Sequence, residues 1–246
     1  MTAATLTYVI PVYNQEGVLR ERMGRLLEQL EPRPGCEIVM VENGSSDDSA
    51  QLTQTLVREY GGSVRFSAVS SSTGLGAAFR RGIGLAGADY IVLTAADLPF
   101  GFSDVEAWQR RRPLPRIAIG SKGHPDSRID VDPLRRLMST GFSWLRRALL
   151  GLRGRDTQGT IIIERALALR ILPLLQCDDY LVSTEIVAWA ARMGVQAVEL
   201  PVDYPRHGGR STVSPVRDSL RMALGLWRLR GRLRQSANVA HDERHQ

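Results

Sequence analysis

The chain has 246 residues, 43% hydrophobic and 24% charged, with a formal net charge of +6. That composition supports a sizeable core and excludes disorder, and no run of 18 or more apolar residues is present to span a bilayer. Every cation except Lys122 is an arginine, a residue whose planar fork suits an anionic partner, be it nucleotide, nucleic acid or lipid surface.

Thr5–Val12 predicts a first strand, with Pro11 at its exit. Asn14–Leu30 follows as a helix, with Asn14 as a candidate N-cap and Leu19, Met23, Leu26, Leu27 and Leu30 on a helical period. Pro32, Pro34 and Gly35 stop it, Glu37–Val41 forms a second strand, and the polar run 42–48 caps a helix over Ser49–Tyr60. Val64–Val69 is a third strand, Ala77–Ala86 a third helix, and Tyr90–Thr94 a fourth strand that runs straight into Ala95-Ala96-Asp97. Four strands alternating with three helices imply an α/β fold with a parallel sheet.

The second half is less regular. A short helix over Val105–Arg112, a strand over Arg116–Ser121 and a polar loop over Gly123–Pro133 precede an amphipathic helix at Leu134–Leu150. Then come a brief strand at Thr160–Ile163, helices at Arg165–Leu175 and Ser183–Met193, and a last strand over Val195–Val202. Pro215–Arg234 predicts a basic amphipathic helix with a frayed tail after it, so residues 1–214 are expected to form the main domain and 215–246 an appendage.

A parallel sheet collects its strand-following loops at one edge, where open α/β sheets keep their ligand crevice. Here those loops are residues 11–16, 42–48 and 94–100. An aromatic ring (Tyr13) near carboxylates and a Gly/Ser turn suits a nucleoside. Asp97 presents a carboxylate to the same crevice, or merely opens the next turn. Gly74-Leu75-Gly76 at a helix start offers backbone N–H groups to a phosphate, or is a plain tight turn. No G-x-G-x-x-G follows the first strand, so the dinucleotide fingerprint is absent.

Eight segments occur in one order over residues 5 to 222: VIPVYNQE, VENGSSDDS, GLGAAFRRGI, ADYIVLTAADLPF, IAIGSKG, LRRLMSTGFSWL, RDTQGTIII and VELPVDYPRHGGRSTV. Together they resemble the family 2 glycosyltransferases of GT-A fold, most of all the polyprenyl-phosphate (dolichol-phosphate mannose synthase-like) sugar transferases. The resemblance implies a Rossmann-like, mostly parallel sheet flanked by helices, and inverting transfer of a hexose from a nucleotide-sugar donor. It sets Pro11, Tyr13 and Glu16 around the nucleoside and Glu42 and Asn43 at the base or ribose. Gly76, Arg80 and Ala96 stand near the donor, and Asp97 at the last position of an Asp-x-Asp motif, a catalytic residue and metal ligand. Lys122, Arg135, Arg206 and Ser211 would face phosphates. Glu185 falls at an acidic position of the family, where a structural role competes with a catalytic one.

Departures from the family pattern bear on the metal. Ala95 replaces the first Asp of the motif, Pro99 a frequent ligand, Ile162 a basic residue and Thr212 a lysine. One carboxylate holds Mg²⁺ or Mn²⁺ only weakly, so the metal is either loosely held or replaced by Arg and Lys at the diphosphate. A phosphate acceptor needs no general base, being ionised near pH 7. A hydroxyl acceptor does, and Asp156, Asp178 and Asp179 are then the candidates, although adjacent Asp178-Asp179 equally suits a solvated helix cap.

The expected acceptor is a polyprenyl phosphate at a membrane surface, with a soluble hydroxyl acceptor or a non-catalytic nucleotide-sugar binder as alternatives. The arginine face of the tail helix either lies on an anionic membrane or is solvated on a helix packed against its own domain. Nucleic acid is not an expected partner, because the arginines are dispersed and no nucleic-acid motif is present. Cys36 and Cys177 are too scattered for a disulfide framework or zinc site. The N-terminus lacks a signal-peptide pattern, and a cytoplasmic setting, peripheral on the inner membrane face, is expected.

Overall fold

The computed structural model describes residues 4–30, 35–60, 64–129, 133–204 and 215–242. At its centre is β1 (Leu6–Val12), buried along almost its whole length. It pairs in parallel with β2 (Glu37–Glu42) on one side and β4 (Tyr90–Leu93) on the other. β3 (Arg65–Ser70) extends the sheet beyond β2, again in parallel. The crossovers are α1 (Glu16–Leu30), α2 (Ser49–Tyr60) and α3 (Leu75–Leu85). The expected alternation of the first hundred residues is what forms. Strands such as β1 and β2 are covered on both faces and therefore read as unbroken apolar runs.

The remaining strands make the sheet mixed. β5 (Ile117–Gly120), β7 (Ile161–Glu164) and β8 (Val198–Leu200) complete the order β3-β2-β1-β4-β7-β5-β8. β7 is antiparallel to both β4 and β5, and β8 is parallel to β5. A separate parallel pair joins β6 (Arg128–Ile129) to β9 (Asp203–Tyr204). β6 lies inside the segment expected to be loop; two residues are too few for a period to register.

Helices α4 (Ser103–Gln109), α5 (Pro133–Leu150), α6 (Arg165–Ile171), α7 (Leu181–Arg192) and α8 (Pro215–Asp242) complete the chain. The helix expected over 165–175 stops at Ile171 and passes into a 3₁₀ turn at Leu172–Leu174, because Pro173 has no N–H to continue the ladder. β8 starts at Val198 rather than Val195, since the Val195 N–H donates to the Ala190 carbonyl and closes α7.

Side chains alternate across the sheet and feed two cores. Val9, Val39, Ile91 and Ile163 meet Phe79, Ile186, Trp189 and Leu229 on one face. Tyr8, Ile38, Met40 and Val92 meet Leu26, Leu56 and Trp108 on the other. α8 is packed against this body through Leu226, Leu229 and Leu233 and continues to Asp242, past the predicted end at Arg234. Gly225 does not break it: a Cβ there would collide with Leu181, so the glycine lets α8 approach α7.

Candidate active site

The register of the sheet brings the predicted loops to one rim. Val12 faces Glu42 and Val9 faces Leu93, so β1, β2 and β4 all end on the same side. Because β7 is antiparallel, its first residue, Ile161, lies opposite both Leu93 and Ile119. The loop 151–160 before it therefore arrives at that rim as well, beside Lys122 after β5 and Tyr204 after β8. Tyr13, Glu42, Asp97, Lys122 and Asp156 share one edge of the molecule.

Polar bonds lock the first two loops together. The Asn14 amide oxygen accepts the Ser46 N–H at 2.8 Å, and the Asn14 N–H donates to Ser45 Oγ at 3.1 Å. Asn14 thus spends its side chain on the neighbouring turn, in a left-handed conformation with φ 51°. It is not the N-cap of α1; the Gln15 carbonyl accepts the first helical N–H groups. Asp47 accepts N–H groups from Glu16 at 3.2 Å and Ser49 at 3.0 Å, and hydrogen bonding centred on Ser49 holds its carboxyl below the usual range. Glu42 Oε1 accepts the N–H groups of Gly44 (2.8 Å) and Ser45 (2.5 Å), which makes it a brace for its own turn. Asn43 is buried, and its Oδ1 has no partner among the described residues. Tyr13 is half exposed above this frame, and Pro11 and Glu16 flank it.

Asp97 sits exposed on a tight turn in which the Leu98 N–H donates to the Ala95 carbonyl at 3.0 Å. The Arg22 guanidinium of α1 donates to the Asp97 carbonyl and so fixes the turn from below. Ala96 points the other way, into the core; any part it plays at the donor falls to its backbone. Under the turn, Thr94 Oγ1 lies 3.3 Å from Thr160 Oγ1. Beside them Asp104 is 2% exposed, and burial pushes its carboxyl up to about 6 despite a hydrogen bond from Thr160.

Asp156 is tied down rather than free to swing. Its Oδ2 accepts the Lys122 N–H at 3.2 Å and its Oδ1 the Gln158 N–H at 2.9 Å. Glu199 of β8 accepts the N–H groups of Arg155 (2.6 Å) and Asp156 (2.9 Å) and the Ser121 hydroxyl (3.0 Å). Arg146 of α5 is wholly buried and donates to Thr157 Oγ1 at 2.8 Å and to the Gly154 carbonyl. Burial lowers its pKa, and Asp156 and Glu199 partly offset that. The Lys122 ammonium lies over the Tyr204 ring, 5.3 Å from its centroid, and Phe100 meets the same ring edge-on at 5.8 Å.

The Gly74-Leu75-Gly76 turn corrects an expectation. The Gly76 N–H donates to the Asp178 carbonyl at 3.0 Å, so it is not open to a phosphate. A Cβ at Gly76 would collide with the Cys177 carbonyl, and one at Gly74 would come within 2.6 Å of Asp178. The glycines admit the 176–180 loop, which seals the start of α3. Arg80, expected near the donor, pairs instead with Asp178 and the Cys177 carbonyl at 2.9 Å. Asp179 accepts the N–H of Leu181, the first residue of α7, at 2.9 Å, so its carboxylate serves the helix start. Glu185 is fully buried, accepting the N–H groups of Gln176 (3.0 Å) and Cys177 (2.8 Å) and facing Arg232. Its surroundings are structural.

Arg206 and Ser211 lie outside the described residues, as does the side chain of Arg135 on α5. Arg22, Asp104, Arg146, Glu199 and Tyr204 were not singled out from sequence. Arg146 alone had a signal, an arginine on the apolar stripe of an amphipathic helix. Among the described residues no group of three His, Cys, Asp or Glu side chains is placed to hold a metal.

Residues 7–109 match the family described as glycosyl transferase family 2. The chain is 29% identical over 244 residues to the dolichyl-phosphate beta-glucosyltransferase of Saccharomyces cerevisiae, covering 90% of this chain and 72% of that protein. It is 28% identical over 246 residues to the polyprenol monophosphomannose synthase of Mycolicibacterium smegmatis, covering 94% and 89%. Among solved structures, glucosyl-3-phosphoglycerate synthase from Mycobacterium tuberculosis with Mn²⁺, UDP-glucose and phosphoglyceric acid superposes with a TM-score of 0.61 at 16% identity, over 94% of this chain and 80% of that one. The same protein is also known with Mg²⁺ and UDP. Order of motifs, sheet topology and the match over residues 7–109 agree: the chain has a GT-A fold and is similar to glycosyl transferase family 2.

Proposed function

We propose that the protein moves a hexose from a nucleotide-diphosphate sugar to a lipid phosphate, with inversion at the anomeric carbon. The observation that carries this reading is the rim itself. An exposed Tyr13 and a braced Glu42 turn stand at one end, and Asp97, Lys122 and Asp156 at the other. The nucleoside would stack on Tyr13 and bond around Glu42 and Asn43, with the diphosphate reaching toward Asp97 and Lys122. The names of the yeast and mycobacterial relatives supply the acceptor class.

In the proposed reaction an acceptor phosphate oxygen forms the new bond to the anomeric carbon as the bond to the diphosphate breaks. The nucleoside diphosphate leaves with the electron pair. A phosphate nucleophile is already ionised, so no base is required. Asp156, held by Lys122 and Glu199, would orient an acceptor and would serve as base only for a hydroxyl. Arg135, Arg206 and Ser211 remain proposed phosphate contacts. Asp97, exposed at this rim, would hold a divalent ion that the diphosphate would share. Such an ion would neutralise charge developing on the leaving group.

Incubation with UDP-, GDP- and dTDP-hexoses and a polyprenyl phosphate in detergent tests the reading. Transfer of label into the lipid fraction, lost by at least 100-fold in Asp97→Ala at unchanged melting temperature, is the expected result. Full activity of Asp97→Ala, or no stabilisation by any nucleotide, overturns it. A second reading has one observation behind it: a single motif carboxylate favours transfer without metal, to a soluble hydroxyl acceptor, or nucleotide-sugar binding without turnover. Activity that survives chelation and needs no lipid would select the first of these, and tight binding with no turnover the second.

A further inference from the structure

α8 meets its own domain with one side and leaves the other bare. Leu226, Leu229 and Leu233 are buried, whereas Leu224, Trp227, Arg228, Gly231 and Arg234 are exposed on the opposite stripe. Trp227 is 67% exposed and Leu224 54%. α5 packs beside α8 and repeats the pattern: Arg146 is buried, while Trp144, 72% exposed, and Arg147 one turn later face out. Single exposed apolar residues are ordinary. Two tryptophans and a leucine on neighbouring helices, each with an arginine within the next four residues, are not scattered singles.

The bare stripe of α8 also forms one wall of a groove of about 800 Å³. Its other wall is the 176–181 loop, and Trp227, Arg228, Arg230 and Arg234 line the helix side. The acids across it are engaged, Asp178 with Arg80 and Asp179 with the Leu181 N–H. Neither Arg228 nor Arg234 has a carboxylate within ion-pair distance among the described residues. The groove therefore offers uncompensated guanidinium groups beside an indole, a combination that matches a phosphate under an acyl boundary. No helix among the described residues is long and apolar enough to cross a membrane.

We infer that the outer faces of α5 and α8 dock on an anionic phospholipid bilayer, with Trp144 and Trp227 at the acyl boundary and a lipid phosphate held in the groove by Arg228 and Arg234. This extends the transfer reading by naming the surface from which a lipid-borne acceptor reaches the rim. Surface potential contributes roughly fivefold in affinity for each arginine near an anionic membrane and is screened by salt.

Tryptophan fluorescence of the full chain, titrated with vesicles, is the test. Trp108 and Trp189 are buried, so a blue shift reports Trp144 and Trp227. Vesicles of phosphatidylglycerol and phosphatidylcholine should bind the protein and shift its emission; pure phosphatidylcholine should not, and 0.5 M salt should release it. Arg228→Gln with Arg234→Gln should weaken binding by about 20-fold, and Trp227→Ala should halve the shift, with unchanged circular dichroism. Equal binding to both vesicles, no binding to either, or full binding by these variants overturns the inference. So does a concentration-dependent dimer that Trp227→Ala abolishes, because the face would then be covered by a second copy. The same variants assayed in detergent separate the two readings. Transfer retained with vesicle binding lost leaves both standing, and absent transfer with vesicle binding intact defeats only the transfer reading.

Discussion

Arg232 on α8 places its guanidinium 2.7 Å from the carboxylate of Glu185 on α7. Glu185 is completely buried and also gathers the N–H groups of Gln176 and Cys177, so one carboxylate joins the last helix to the loop that seals α3.

Removing one partner of such a pair leaves a charge stranded without water. Arg232→Met should destabilise the protein by about 3 kcal/mol or more, measured as a loss of urea midpoint. Adding Glu185→Gln should recover a substantial part of that loss. Additive damage in the double variant would show that the pair is not coupled.

Asp104 gives a signed pH dependence. Its carboxyl is raised to about 6 by burial from an ordinary 3.8, so the unfolded chain ionises first. Any stability from the protonated form is complete below pH 4 and is lost as pH rises through about 6. Two pH units of displacement correspond to roughly 3 kcal/mol. Asp104→Asn should remove that slope, with the variant gaining on the parent between pH 4 and pH 7.5. Parallel stability curves would refute the assignment.

Burial, with Glu185 alongside, pushes the Cys177 thiol up to about 12. A thiol so rarely ionised is a poor nucleophile at neutral pH. Native protein should therefore react slowly with a disulfide reagent at pH 8, and two thiols should react at once in denaturant. Rapid labelling of Cys177 in the native state would contradict this.

The Arg22 guanidinium holds the Asp97 turn by its backbone carbonyl. If that turn presents the carboxylate to a donor, Arg22→Leu should lower kcat about tenfold, because small misplacements at a reacting centre are costly. Nucleotide affinity should change much less. A KM effect with unchanged kcat would assign Arg22 to binding instead.

The first half of the fold was legible because its strands are buried on both faces and its helices are amphipathic, two patterns that survive without tertiary information. The rim was legible for a related reason: parallel strands must end together, so Tyr13, Glu42 and Asp97 had to share an edge. What the sequence hid was who bonds to whom. Asn14 looked like a helix cap because Asn favours that position, yet its amide is taken by Ser46, 32 positions away. Gly74 and Gly76 looked like a phosphate turn because a glycine pair before a helix serves either purpose; only the 177–178 backbone lying against them decides. Arg146 and Glu199 are an α5 residue and a β8 residue whose roles exist only once loop 151–158 lies between them.

The reversed course of β7 has a consequence for how such a protein can change. A sheet with every strand running one way would take its working edge from crossover loops alone, each constrained by the helix that follows it. By entering upside down, β7 delivers the connector from α5 to that edge from the far half of the polypeptide. On the proposed reading, donor-facing and acceptor-facing parts then sit on separate stretches of chain, so the connector is free to be lengthened or rewritten for a different acceptor while Tyr13, Glu42 and Asp97 stay where they are.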